Sequence, residues 1–270
     1  MATTLEGMTV GMGDALVSTW VSGLDGPPMH AQNVNQQHDA ASLVKLPVAM
    51  AAYRLLDRGE LDLDEQVAVH DEFASVVDGA RFTMSAADDQ DPETWEAIGG
   101  SLPLHDLVRR SLTRSGNLAA NLVLERVGLA EVAAVLADAH CSPMTEVTRW
   151  IGDAPARDAG RTNLVTAHDM GRLLAGLAGG RLASPASSAA LEEILRDQVY
   201  RDAIPAGLPG DVSVGNKTAW IDGVRHDVAI ARPEGRDPVV IAILTTGLDD
   251  EESEWRISEL ARFLWDTLPA

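Results

Sequence analysis

Two residues at the start of a predicted helix, Ser42 and Lys45, have the types and spacing of a nucleophile and its base. Residues three apart in a helix lie on the same face, so the hydroxyl and the amine can meet. A serine hydroxyl is a weak nucleophile until a neighbouring base takes its proton, and a neutral lysine can do this. The positive end of the helix dipole favours the neutral amine and stabilises negative charge that develops nearby. Taken alone, the two residues also fit a helix cap followed by a solvated lysine.

Two further segments carry polar side chains that could assist such a reaction. Ser115 and Asn117 flank a glycine just before a second predicted helix, and Lys217 and Thr218 stand at the end of a β-rich run. The chain has 19 arginines but only two lysines, those at positions 45 and 217. Unlike arginine, a lysine can give up its proton when it is buried or crowded by charge. The structural alternatives are a capping turn at 115–117 and an exposed lysine at a strand end.

The elements that must position these residues follow from hydrophobic periodicity and turn residues. Strands are predicted near both ends of the chain, and helices are predicted between them. The predicted strands cover residues 15–21, 29–34, 212–218, 225–231 and 238–245. The predicted helices cover residues 42–56, 104–112, 118–127, 130–139, 167–177, 185–196 and 252–268, with a solvated acidic loop at 84–100 and an irregular segment at 143–163.

This order of elements predicts an α+β fold. We expect an antiparallel sheet that is built from both termini and flanked by helices, with an all-helical domain inserted between its halves. The sheet domain is expected to comprise residues 1–60 and 206–270, and the helical domain residues 61–205. Clefts between two such lobes are favoured ligand sites, so we expect the active site there.

Composition restricts the partners of the protein. The 270 residues carry a formal net charge of −20 and have a sequence pI near 4.5, so the surface repels nucleic-acid backbones and anionic lipids. A small-molecule substrate is expected instead, and oligomeric state is left open. The single cysteine, Cys141, cannot form an internal disulfide, and the histidine spacing offers no metal site, so no metal and no cofactor is expected. No export signal or membrane span is recognised, which predicts a cytoplasmic protein, or a secreted one if an N-terminal segment has been trimmed.

Together, the three segments match the order and spacing of the three-motif signature of penicillin-recognising serine enzymes: SxxK, then SxN about 70 residues later, then K-T. The sequence resembles the class A β-lactamase-like serine hydrolases over nearly its whole length. The resemblance rests on ASLVKLP, SGNLAANLVLERVG, NLVTAHDMGRLL and NKTAWIDGVRHDVAI. It implies the β-lactamase/transpeptidase-like form of the α+β fold.

The resemblance also implies roles for four residues of the reaction. Ser42 would be the acylated nucleophile, and Lys45 would be its general base. Ser115 would relay a proton towards the leaving group. Lys217 would hold Ser115 and the substrate carboxylate in a positive field.

For substrate binding, the resemblance implies that Asn117 binds the amide carbonyl of the substrate and that Thr218 donates a hydrogen bond to its carboxylate. The backbone N–H groups of Ser42 and Trp220 would form the oxyanion hole, where each donor contributes about 3–4 kcal/mol. Asn121 would be a structural amide.

One residue on the following strand is a further candidate for substrate binding. Strand alternation lets only one of Arg225 and His226 face the cleft, and His226 could bind a substrate anion there. The alternative is a structural histidine.

The sequence departs from the family pattern at three positions. Class A β-lactamases carry a glutamate after an Arg-aromatic pair, and this glutamate activates the water that clears the acyl-enzyme. Here Arg149-Trp150 is followed by Ile151, and the nearest carboxylate is Asp153, a candidate deacylation base or else a surface loop residue. In addition, glycine stands at 116 in place of the usual acidic residue. Ala219 replaces the glycine of the third motif and adds a methyl group at a substrate-binding position, on a strand edge where the substrate must lie close.

Three functions remain open at this point. The first is a serine hydrolase that acts through a Ser42 acyl-enzyme on a β-lactam or another small carboxylate-bearing amide or ester, weakly as a β-lactamase because the loop glutamate is missing. The second is a slowly deacylating enzyme that resembles a penicillin-binding protein or transfers its acyl group to an amine. The third is a catalytically silent ligand-binding protein.

Overall fold

A computed structural model describes residues 15–77, 79–248 and 250–268. Its central element is a five-stranded sheet in the order β2-β1-β11-β10-β9, in which all neighbours are antiparallel. The first strand of the chain pairs with the last one, Leu16 opposite Thr246, so both ends of the chain build the sheet as predicted. The eleven strands found in these ranges are β1 Leu16–Ser22, β2 His30–Gln32, β3 His38–Asp39, β4 Gln66–Ala68, β5 Glu72–Ala74, β6 Arg81–Thr83, β7 Ser101–Pro103, β8 Leu164–Val165, β9 Ser213–Ile221, β10 Val224–Arg232 and β11 Val239–Thr246.

Helices flank this sheet, which confirms the α+β class. The α-helices of the described residues are α1 Lys45–Asp57, α2 Pro92–Glu96, α3 Leu104–Thr113, α4 Asn117–Asp138, α5 Ala154–Asp158, α6 Ala167–Ala178, α7 Pro185–Arg196, α8 Ile204–Gly207 and α9 Asp250–Asp266. Short 3-10 turns cover Ala41–Val44 and Ala86–Asp88. None of these helices is long and apolar enough to cross a membrane.

Both faces of the sheet are covered, and this explains the nearly continuous apolar sequence of β11. Alternate side chains of β11, such as Ile241 and Ile243, pack against α9, where Ile257 and Leu260 are buried. The intervening side chains, including Leu244, join the larger core that continues into α6 and the helices of the middle segment. One apolar run therefore supplies two cores.

The middle of the chain is centred on α1. Every residue of α1 from Lys45 to Tyr53 is buried, as expected for a helix that is surrounded on all sides. The two helices predicted at 118–127 and 130–139 form one helical span, α4, with a break at Gly128, whose φ of +76° suits glycine. The segment 61–205 also contains the small ladders β4–β7 and β5–β6. The division into domains at 60 and 205 stays a prediction.

Most of the segment 84–100 is exposed, as expected, but it is not an irregular loop throughout. Residues Ala86–Asp88 form a 3-10 turn and α2 starts at Pro92, whose fixed φ suits the first position of a helix. Asp91 and Thr94 are nevertheless fully buried, and Thr94 Oγ1 donates to the Asp91 carboxylate. Asp91 also pairs with Arg110 of α3, which offsets the cost of burying its charge. Acidic composition indicated solvent exposure, but the tertiary fold supplies partners that allow burial.

Candidate active site

Ser42 lies in the 3-10 turn Ala41–Val44 that leads directly into α1. This turn packs against the edge strand β9, which brings the hydroxyl close to residues far away in sequence. Ala41 adopts a φ of +41°, unusual for a residue with a Cβ, and its N–H is held by the Asp39 carboxylate at 2.9 Å. Left-handed backbone that the surroundings enforce is typical of positions that orient a functional group.

Lys45 is fully buried, so the solvated lysine considered as an alternative is wrong. Its Nζ donates to Ser42 Oγ at 2.9 Å, to the Ser115 carbonyl at 2.5 Å and to Asn117 Oδ1 at 2.7 Å. Burial lowers the pKa of Lys45 to about 7, against the opposing effect of the nearby Asp89 carboxylate. An amine with such a pKa exchanges its proton readily near neutral pH.

Ser115 connects the two lysines. Its Oγ lies 3.3 Å from Lys45 Nζ and 2.9 Å from Lys217 Nζ, and its φ of +59° is a second left-handed conformation in a residue with a Cβ. The capping function considered for 115–117 does not belong to Ser115, because the residue at the cap position of α4 is Gly116. The hydroxyl instead lies within hydrogen-bond distance of both lysine amines.

Lys217 is also fully buried, in the middle of β9 rather than at an exposed strand end. The sequence placed the end of this strand three residues too early. Burial and the neighbouring Lys45 charge lower the pKa of Lys217 well below its usual value, whereas the Asp227 carboxylate on β10 opposes this shift. Thr218 is buried as well, and its Oγ1 has no hydrogen-bond partner among the described residues.

A cavity of about 410 Å³ opens over these groups. Its lining includes five of the sequence-predicted residues: Ser42, Ser115, Asn117, Asp153 and Trp220. Lys45, Lys217, Thr218 and Ala219 lie behind this surface with no exposed area. The other lining residues are Asp39, Ala41, Asp88, Gln90, Arg149, Ile151, Gly152, Ala154, Arg157, Asn163 and Ile221.

Ile151 forms part of the cavity wall, and Asn121 holds it there. The Asn121 amide donates to the Ile151 carbonyl at 2.8 Å and accepts from the Ile151 N–H at 3.1 Å. Asn121 is fully buried on α4, four residues after Asn117. It thus fixes the backbone at the position where the resemblance expects a glutamate, and the side chain it presents is apolar.

Asp153 is neither a surface residue nor a free base. It is fully buried at the N-terminus of α5, where Oδ1 accepts from Ser75 Oγ at 2.7 Å and from the Ala156 N–H at 3.0 Å. Its Oδ2 accepts from the Val76 N–H at 3.1 Å. Because these donors occupy both oxygens, the carboxylate is arranged to cap a helix and tie two loops together.

His226 does not line the cavity. It is fully buried behind β9, where Nε2 lies 2.9 Å from the Asp39 carbonyl and the ring contacts His38 edge-on. Burial lowers the pKa of His226 to about 4, so the ring is neutral at pH 7 and has no charge to offer an anion. The structural alternative is therefore the one observed. Its neighbour Arg225 stacks over Trp220 and pairs with Asp202 at 3.0 Å.

Asp89 is a residue that the sequence reasoning missed. Its carboxylate accepts from the backbone N–H groups of Asn117 at 2.9 Å and Leu118 at 2.7 Å, and from Trp95 Nε1 at 2.9 Å. It therefore caps α4 from outside the helix. The signal available in the sequence was the acidic run at 88–91, which lies upstream of a helix whose own first residues offer no side-chain cap.

Gly116 fits the same arrangement. A Cβ at this position would lie 2.9 Å from Asp91 Cβ, closer than real contacts allow. The carboxylates at 89 and 91 occupy the space around the turn, so the acidic residue missing at 116 is replaced by acids from another segment.

Replacing Asp89 by alanine is expected to lower the free energy of unfolding by about 1–2 kcal/mol, because two helical N–H groups lose their acceptor. Chemical denaturation of this variant measures the loss. Asp88→Ala is the matched control, since the Asp88 side chain is exposed and only its carbonyl accepts from Asn117. Equal effects of the two substitutions contradict the capping role.

Solved structures show the same fold. A β-lactamase from Xanthomonas campestris superposes with a TM-score of 0.81 at 25% identity, covering 96% of this chain and 94% of that one. PBP-A superposes with a TM-score of 0.79 at 19% identity, covering 96% and 92% of the two chains, a likeness of fold alone. Among curated sequences, the β-lactamase of Streptomyces albus G is 26% identical over 246 residues, which is 88% of this chain and 75% of the relative.

The fold and these relatives define the class of protein, a β-lactamase-like serine hydrolase. The model of the beta-lactamase enzyme family matches residues 11–268. The chain therefore belongs to the beta-lactamase enzyme family.

Proposed function

We propose that the protein forms a Ser42 acyl-enzyme with a β-lactam or another small carboxylate-bearing amide or ester. The observation that carries this proposal is the 2.9 Å contact between Ser42 Oγ and the buried Lys45 amine, whose pKa is lowered to about 7. A neutral amine at this distance can take the hydroxyl proton as the nucleophile attacks.

The proposed reaction uses the remaining contacts of the site. A bond forms between Ser42 Oγ and the substrate carbonyl carbon, and the carbon–nitrogen bond of the lactam breaks. The proton passes from Ser42 to Lys45 and reaches the leaving nitrogen through Ser115, whose hydroxyl faces both lysines. The backbone N–H groups of Ser42 and Trp220 are proposed as the oxyanion donors.

The proposed substrate carboxylate is bound on the β9 side of the site. Thr218 Oγ1 is buried and without a partner among the described residues, and a buried hydroxyl of this kind gains a hydrogen bond when an acceptor arrives. Burial lowers the pKa of the neighbouring Lys217 amine, and an arriving carboxylate favours its charged form again. Asn117 is proposed to bind the amide carbonyl on the acyl side of the substrate.

Mass spectrometry of the intact protein, mixed with a chromogenic cephalosporin, tests this function. We expect a covalent adduct that is absent in Ser42→Ala, with colour and adduct mass followed together. An adduct that survives in Ser42→Ala contradicts the proposed nucleophile. Failure of every acylating probe, with a ligand still raising the melting temperature, favours a silent binding protein.

The rate of acylation is expected to rise with pH and to level off above an apparent pKa of about 7. Below this pH Lys45 is an ammonium that cannot accept the Ser42 proton, and above it the amine is neutral. Stopped-flow acylation between pH 5 and 9 measures the profile. Because Asp89 raises the pKa of Lys45, Asp89→Ala is expected to shift the midpoint to lower pH. A flat profile contradicts Lys45 as the base.

A second candidate function is a slowly deacylating or acyl-transferring enzyme. The observation that favours it is Ile151, an apolar side chain fixed in the cavity wall, together with the occupied oxygens of Asp153. Isoleucine cannot activate water, and the Asp153 carboxylate is already engaged by three donors. The adduct is then expected to persist after a single burst of colour, or to be released faster when an amine acceptor is added.

A further inference from the structure

We propose that Arg149 binds a second anionic group on the acyl side of the substrate, so that the site prefers acyl substrates with a carboxylate there. The proposal rests on the proposed function, because it concerns the same cavity and the same Ser42 adduct. It adds a specificity-determining residue in the loop that precedes α5.

The first observation is that the main chain of Arg149 is fixed while its charge is left without an anion. The buried Asn163 side chain accepts from the Arg149 N–H at 3.1 Å and donates to the Arg149 carbonyl at 3.1 Å. The guanidinium donates only to the Trp150 carbonyl, at 3.1 Å, and Nε is buried without an acceptor among the described residues. A desolvated donor of a charged group gains substantially from an acceptor.

The second observation is that none of the described carboxylates that line the cavity forms an ion pair with Arg149. No carboxylate of the described ranges lies within 4.0 Å of its guanidinium, although Asp39, Asp88 and Asp153 line the same cavity. Asp39 accepts from the Ala41 N–H, Asp153 accepts from three donors in its own surroundings, and Asp88 is exposed to solvent. Arg157, the other arginine of the lining, is exposed and pairs with Asp158 at 3.3 Å.

The third observation places Arg149 on the acyl side. Asn117, the proposed ligand of the side-chain amide of the substrate, shares a face of α4 with Asn121, four residues later. Asn121 binds the backbone of Ile151, two residues from Arg149. A substituent that extends from the amide carbonyl at Asn117 along this face therefore meets the loop wall that contains Arg149.

The fourth consideration is long-range charge. With a net charge of −20, the protein as a whole repels an anion with two carboxylates. Cations within a cleft focus the local potential and counteract that repulsion, and the Arg149 guanidinium is protonated at every accessible pH. The chemistry that fits is a dicarboxylate acyl compound, with one carboxylate at Thr218 and the other at Arg149.

Benzylpenicillin and carbenicillin are a matched pair of probes, since they share the bicyclic nucleus and differ by one carboxylate next to the side-chain carbonyl. The quantity to measure is the second-order rate constant of adduct formation on Ser42. We expect the wild-type protein to react with carbenicillin at least as fast as with benzylpenicillin. Arg149→Gln is expected to lower the carbenicillin-to-benzylpenicillin ratio by about tenfold to a hundredfold.

Arg157→Gln is the control, because it removes a neighbouring cavity charge that already has a partner, and its ratio is expected to stay at the wild-type value. Arg149→Lys retains the charge and serves if Arg149→Gln does not fold; a ratio near wild type supports the proposal. Three results overturn the proposal. The first is an unchanged carbenicillin-to-benzylpenicillin ratio in Arg149→Gln, and the second is an equal fall of this ratio in Arg157→Gln. The third is a wild-type protein that reacts much more slowly with carbenicillin than with benzylpenicillin. If neither penicillin forms an adduct, the proposed function itself is contradicted. This result differs from failure of the Arg149 proposal alone, in which adducts form but their rate ratio does not depend on Arg149.

Discussion

Replacing Lys45 by methionine is expected to slow acylation of Ser42 by a factor of about 10² to 10⁴, the usual contribution of a general base. Methionine preserves the length and apolar stem of the side chain but removes the amine that lies 2.9 Å from Ser42 Oγ. The second-order rate constant of adduct formation, measured by quenched-flow mass spectrometry, gives the effect. Because the Ser115 carbonyl and Asn117 Oδ1 also lose a donor, the melting temperature must be recorded alongside.

Lys45→Arg separates the proton acceptor from the positive charge. A guanidinium remains protonated at every accessible pH, so it retains charge but cannot take the Ser42 proton. We expect Lys45→Arg to be as slow as Lys45→Met. Recovery of fast acylation in the arginine variant contradicts a base at position 45 and assigns its effect to electrostatics.

Replacing Ile151 by glutamate is expected to shorten the life of the Ser42 adduct by a factor of about 10² to 10⁴, again the contribution of a general base. Asn121 binds both backbone groups of residue 151, so a new side chain starts from a fixed position in the cavity wall. A carboxylate there can activate a water molecule that the isoleucine side chain cannot. The measurement is the rate at which the adduct mass disappears after excess substrate is removed.

Ile151→Gln is the matched control, because glutamine has the size of glutamate without its basicity. We expect its adduct to persist as long as that of the wild-type protein. If both variants clear the adduct equally fast, the cause is loosened packing rather than a base. If the wild-type protein already loses its adduct as fast as Ile151→Glu does, the wild-type site contains another group that activates water.

The Lys45 prediction concerns acylation, and the Ile151 prediction concerns deacylation. The structure brings together the groups proposed for the first step but not those needed for the second. The groups proposed for acylation lie in mutual contact: Ser42, Lys45, Ser115 and Lys217 form a chain of hydrogen bonds. The groups for deacylation do not, because an apolar side chain stands at the fixed position and the nearby carboxylate caps a helix. This difference is the physical basis for proposing a long-lived adduct.

The sequence by itself determined the order of the elements and the chemical types at the centre of the site. Apolar periodicity placed strands at both ends and helices between them, because burial imposes a period of two or 3.6 on the side chains. The spacing of Ser42 and Lys45 implied contact, because a helix brings residues three apart onto one face. The sequence has lysine only at positions 45 and 217 and left open whether these side chains are exposed; both are buried.

Only the tertiary structure decided which polar residues are free to react. Asp153 and His226 have suitable chemistry in the sequence, but partners distant in the chain, such as Ser75 and Asp39, occupy them. Asp89 gave no recognisable motif, and it is placed at the start of α4 by the packing of another segment. Local patterns record what a side chain can do. Burial and long-range hydrogen bonds, which depend on the whole fold, determine its pKa and whether its lone pairs are available.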